Sequence, residues 1–447
     1  MEYESKLNRL FSILGIAFGA LATIGIGVYL VATINPRIPC KTVIRWVVDP
    51  NPIRKEQIKL FESKYRNIHV INDPGAEPQR LLTQLAGGVP PDVMALYNPQ
   101  TIRLFAKNDV LLDLRPYVKK YKLPIEKLYP GLKPYIYYED KIVGVPENCG
   151  PYVLFYNKKM FREAGIPYPK PGWTWDECLE VAKKLTKYQV VGGRKVPVQK
   201  GIYVGTHDWW FFIWMYGGHL YTPDGKRCIM NDEKVKKGIR FWADLRLKHH
   251  VTPTPSEAQS MAPTGGWGTD ALLFRESKVA MMVSGRWLCI QYREQKDLEW
   301  DVTSVPHGPN RVTLLASKCY SIPKTSRHRH EALIFIKHLL SKENQLLVAN
   351  YGDGIPTLQD PEIEKAFAYN PKYPNERNNL LHIQEMKYAR VSESSPYINV
   401  LDQDAIMARE FDKMWLGEQS PDKTCDEIAW QINAVIRRNL ANPNFLD

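Results

Sequence analysis

Between residues 43 and 96, short apolar runs alternate with amphipathic stretches, and few folds accept that pattern. Residues 43–48 (VIRWVV) are rich in β-branched side chains and stop at the turn cluster Asp49, Pro50, Asn51, Pro52. Residues 53–65 then place Ile58, Phe61 and Tyr65 at helical spacing. Residues 68–71 (IHVI) read as a second strand, 79–85 as a second helix, and 92–96 as a third strand after Gly87-Gly88 and Pro90-Pro91. Strands separated by helices pair in parallel, because a helical crossover carries the chain back to the end of the sheet from which it started. The expected class is therefore α/β.

Further along, residues 150–157 (GPYVLFYN) read as one strand and residues 159–164 as a helix. A Pro-rich loop at 167–172 follows, then a helix at 175–186 announced by Thr174 with Glu177 three residues on. Residues 232–248 and 330–340 are further amphipathic helices, and from Asp402 the chain reads mostly helical until Pro443. A chain of 447 residues holds more than one core, at roughly 100–200 residues per domain. Its 44% hydrophobic content is enough to bury one, which excludes wholesale disorder.

The formal net charge is +12, but Lys and Arg are spread along the chain and mixed with acids. Such a distribution suits a basic surface beside anionic lipid and gives no footing for nucleic acid. Residues 11–34 form an uncharged run of 24, preceded by Lys6 and Arg9. As a helix it would span ~36 Å, enough to cross a hydrocarbon core of ~30 Å, with the body outside. It is read as an uncleaved transmembrane anchor. A cleaved signal segment and a lipid-modified Cys40 are the alternatives, and all three export the rest.

Seven scattered cysteines contain no C-x-x-C pair, and whether any disulfide forms is left open. Gly192-Gly193 and Gly217-Gly218 lack the spacing of a phosphate loop. His249-His250 and His328/His330 have no carboxylate at ligand spacing, so neither a metal nor another cofactor is expected. No G-x-S-x-G or other nucleophile motif is assembled.

Several blocks, in order, carry a resemblance. They are Gly88-Val-Pro-Pro-Asp92, Gly144-Val-Pro146, Phe155-Tyr-Asn157 through Phe161, Ala164-Gly-Ile166 and Trp173-Thr-Trp-Asp-Glu177. Phe274 to Met281 with Gly285-Arg-Trp287, Glu331-Ala332 with Phe335, and Gly354-Ile-Pro356 complete the series. Together they resemble the family 1 extracellular solute-binding proteins of ABC sugar importers, which include maltose-binding protein. Ser277 and Val279 depart from that pattern, where the family has Gly and Ala.

The resemblance implies a two-lobed, type II-like periplasmic-binding-protein fold with an inter-lobe cleft. Lobe I would be residues 41–149 plus 312–355, and lobe II residues 150–311 plus 356–447, with residues 1–40 as cytoplasmic stub and anchor. It implies a monomer that captures a sugar or polyol by closure outside the cell membrane and passes it to ABC permease subunits, without catalysis. An exported carbohydrate-active enzyme and a sensory binding module for a membrane partner are the competing readings.

Sugars offer an apolar C–H face and a rim of hydroxyls, so their sites combine flat aromatic surfaces with charged or amide hydrogen-bond partners. By resemblance Trp287 is the stacking tryptophan. One of Trp209 and Trp210 would contact solute while the other packs with Phe211 and Phe212. Trp267, flanked by glycines, suits a cleft-edge loop. Asp49, Tyr97 and Asn98 follow strands, where open α/β sheets place ligand groups. Glu147, Asn148 and Asp353 sit near the expected crossings, and Tyr397 in the tail completes the set.

Overall fold

The alternation of residues 43–96 is realised. In the computed structural model, which describes residues 41–262 and 269–442, strand β1 (Thr42–Val47) leads through helix α1 (Ile53–Lys64) to strand β2 (Ile68–Asp73). Helix α2 (Pro78–Ala86) then leads to strand β3 (Val93–Leu96). β1 lies parallel to both β2 and β3, pairing Thr42 with Ile68 and Trp46 with Val93. The described chain divides into two compact units, residues 41–94 with Thr325–Phe335, and Ala95–Lys324 with 336–442.

In the first unit Ile44, Trp46 and Val47 are fully buried. Phe335, from helix Arg329–Leu339, meets Trp46 edge-on at 5.0 Å and Phe61 of α1 at 4.9 Å. Truncating one such ring would cost about 3–5 kcal/mol. Asp92 fastens the sheet end, accepting from the Arg45 backbone N–H at 2.9 Å and from Ser326 Oγ at 2.7 Å.

The second unit opens with helix α3 (Pro99–Lys107) and holds two sheets. In the first of them, β4 (Val145–Pro151) pairs antiparallel with both β10 (Thr313–Ser321) and β11 (Ile355–Pro356). The other has five strands in the order β9 (Trp300–Thr303), β5 (Val153–Asn157), β8 (Val279–Ser284), β7 (Arg194–Tyr203) and β6 (Lys187–Val191). Helices α4 (Trp175–Leu185), α5 (Trp210–Met215), α6 (Glu233–Leu247), α7 (Val400–Trp415) and α8 (Pro421–Leu440) contribute to one large apolar core there. The capping box read from Thr174 and Glu177 is present.

One expectation is corrected. Residues 150–157 are not a single strand, because the chain changes sheets at Tyr152. The Tyr152 N–H still bonds to the Leu314 carbonyl of β10 at 2.9 Å, whereas from Val153 onward the chain pairs with β8 and β9 of the other sheet. The hairpin of β6 and β7 went unread in the sequence.

The six cysteines of the described residues are free and buried, and burial pushes the thiols of Cys228 and Cys289 up to about 12. Among the described residues no helix is long and apolar enough to cross a membrane. The proposed anchor at 11–34 lies outside them.

Candidate functional site

Trp209 caps the start of α5, and its ring stacks on Trp210 with centroids 4.0 Å apart and planes at 23°. Trp210 in turn leans on Trp214 at 5.4 Å, and Trp209 on Phe411 of α7 at 6.0 Å. Phe211 and Phe212 belong to the same apolar core as the pair, and both meet Trp175, at 6.2 and 4.8 Å.

The indole pair forms one wall of a cavity of about 550 Å³. Asn98 and Gln100 stand at the start of α3, His207 in the loop before α5, and Gln403, Asp404 and Phe411 on α7. Ser392 joins them from the connecting segment. The volume falls in the range usual for small-molecule sites, ~300–1,000 Å³.

The polar rim is held in place by its own hydrogen bonds. Asn98 Oδ1 caps α3 by accepting from the Thr101 N–H at 2.7 Å. Gln100 Nε2 donates to the Glu393 carbonyl at 2.8 Å and its Oε1 accepts from Ser392 Oγ at 2.9 Å. Glu393 itself accepts from Trp214 Nε1 at 2.8 Å and the Leu220 N–H at 2.7 Å, with His219 Nδ1 at 2.8 Å. Tyr221 donates to Gln403 Oε1 at 2.6 Å. Asp404 is exposed, yet partial desolvation raises its carboxyl from its ordinary value, against the pull of Gln403 and His207. Flat indoles facing amides and a carboxylate match both surfaces of a polyhydroxylated ring.

The other residues singled out in the sequence lie elsewhere. Trp287 does not line this cavity; it is half-buried and stands edge-on to Tyr152 at 5.5 Å. Its ring lies so close over Gly285 that a Cβ there would meet it at 1.8 Å. Tyr97 is 39% exposed. Asp49, in the first unit, accepts from Arg54 at 3.2 Å and from the Asn51 N–H at 3.1 Å. Tyr397 packs on the large core, and Trp267 lies outside the described residues.

Glu147, Asn148 and Asp353 gather around Lys318, which reaches Asp353 at 3.1 Å and Glu147 at 3.3 Å. Asn148 Nδ2 donates to Asp353 Oδ2 at 3.0 Å. Tyr320 and Asn344 donate to Glu147 at 2.9 and 3.0 Å. All are buried, so these groups tie β4 and β10 to the segment that leads into β11. Gln100, Ser392, Gln403 and Asp404 were missed in the sequence. The signal for Gln403 was the stripe Gln403, Met407, Phe411, Trp415 at steps of four.

A pre-formed cavity walled by stacked indoles, on an α/β frame, is the build of a protein that captures small solutes. The chain belongs to the bacterial extracellular solute-binding proteins, whose sequence pattern matches residues 49–346, and its place is therefore extracytoplasmic. An uncharacterized lipoprotein of Streptomyces antibioticus is 29% identical over half of each chain, so the match spans about half that relative's length. A putative binding protein of Brucella abortus is 21% identical over 67% of this chain and 69% of its own. Among solved structures, an ABC substrate-binding protein of Listeria monocytogenes in complex with cycloalternan superposes with TM-score 0.78 at 23% identity, covering 89% of this chain and 99% of that one. The maltotriose-bound maltose/maltodextrin-binding domain of Bdellovibrio bacteriovorus gives 0.72 at 19%, covering 90% and 100%. These likenesses fix the two-lobed solute-binding fold.

Proposed function

We propose that the protein captures a sugar or related polyhydroxylated solute and delivers it to an ABC permease, with residues 11–34 as its membrane anchor. The reading is carried by the stacked Trp209–Trp210 pair facing amide and carboxylate groups in one cavity. Residues 41–149 with 312–355, and 150–311 with 356–447, serve as the two lobes. In support, Asn98 and Gln100 come from one of these segments and the tryptophans and α7 from the other. Closure would bring both sets around the solute. Trp287 stands outside this cavity beside Tyr152, a second aromatic face that the solute would meet only on closure.

Two of the carboxylates a glycosidase would need, Glu147 and Asp353, share Lys318 in the interior, which disfavours hydrolysis. A thermal-shift screen of the protein against mono-, di- and oligosaccharides tests the proposal. Stabilisation by a sugar recovered intact is the expected result. Turnover of the sugar, or no stabilisation by any carbohydrate, overturns it.

A further inference from the structure

The hairpin of β6 and β7 stands at the edge of the five-stranded sheet and is built unlike the rest of the surface. Every residue of β6 is exposed, and so are the first three of β7. At its tip Val190 and Val191 are 70% and 54% exposed. Gly192 (φ 56°) and Gly193 (φ 78°) form the two-residue turn, where both central residues need positive φ.

Cross-strand register places Val190 opposite Lys195 and Val191 opposite Arg194. Cross-strand partners share a face, so each face of the tip carries one aliphatic side chain and one cation. Residues 181–207 contain six cations and no carboxylate. Lys183 and Lys200 pair with Glu180 and Glu257, whereas Lys187, Arg194 and Lys195 make no ion pair among the described residues. Cations alone would serve to blunt an exposed edge against strand pairing. They do not account for two valines held in water at the tip, where a purely protective hairpin would be polar.

We infer that this hairpin docks on an anionic lipid surface, Val190 and Val191 entering the interface while Lys187, Arg194 and Lys195 meet phosphate headgroups. Charge complementarity selects this occupant: an unbroken cationic stretch around an apolar tip matches an anionic leaflet. The inference does not depend on which solute is bound.

The test uses the full chain in nanodiscs, with Cys40→Ser and an environment-sensitive fluorophore on Val191→Cys. A second protein carries the fluorophore on Leu416→Cys, which is 74% exposed on a distant part of the sequence. In discs of phosphatidylcholine with about one-quarter phosphatidylglycerol, emission from position 191 should shift to the blue. The shift should be absent in pure phosphatidylcholine and at position 416. It should be lost in the triple variant Lys187→Gln, Arg194→Gln, Lys195→Gln. An unshifted spectrum in the anionic discs overturns the proposal, as does an equal shift in both lipids or at both positions. A lipid-free shift that grows with protein concentration overturns it in favour of pairing between two copies along β6.

Discussion

Trp209 and Trp210 are only 4% and 7% exposed, so each both supports the core and walls the cavity, and a test has to separate the two roles. Replacing either by Phe keeps most of the buried ring and removes the broad indole face. The stacking lost is worth about 0.5–1.5 kcal/mol, an affinity loss of about 2- to 12-fold for the cognate solute by calorimetry. The melting temperature without solute should move little. Trp287 is half-buried, so Trp287→Ala should lower affinity while the protein stays folded. Unchanged affinity would remove that residue from the site. The tryptophans could be found in the sequence because aromatic residues beside polar loop residues are unusual in a core. Glu147 and Asp353 could not be read correctly: their partner Lys318 is distant in sequence, and no local pattern announces such a pairing.

Secondary elements were legible where periodicity is strong. β1, α1, β2 and the Thr174-capped α4 follow from spacing and turn residues, whereas the break at Tyr152 depends on which distant strands pair with Val153 onward. Between β4, β10 and β11, Lys318 balances two buried carboxylates. Lys318→Met should therefore destabilise by about 3–5 kcal/mol in denaturant melts, since it strands uncompensated charge. A loss under 1 kcal/mol would show that the cluster does not hold these strands together.

The α7–α8 pair carries its own pH sensor. Burial of Glu410 opposes ionisation, but hydrogen bonds from Gln431, Lys413, Gln419 and Arg409 outweigh it and hold the carboxyl down at about 2. A carboxyl depressed in the folded state stabilises above its unfolded value, about 4.3. That stability drains as pH falls towards 2. Wild type should thus lose stability progressively over this window, measured by denaturant unfolding, and Glu410→Gln should show a flatter profile.

At the scale of the molecule, the cavity joins segments far apart in the chain: the start of α3, the loop into α5, Ser392 and α7. None of these touches another in the sequence, which is why Gln100, Ser392, Gln403 and Asp404 were not legible there. A solute that binds the folded state alone stabilises it by about 2.7 kcal/mol at a hundredfold excess over Kd. Hydrogen exchange locates that gain. Amides that open locally should slow at 98–107, 206–215 and 392–415, because each segment gives the cavity a wall and the bound solute must be released before they separate. Slowing around Tyr152 and Trp287 would place the second aromatic face in the same site. If solute instead raises the melting temperature with 206–215 and 400–415 unchanged, the stacked pair is core and the solute sits elsewhere on the fold.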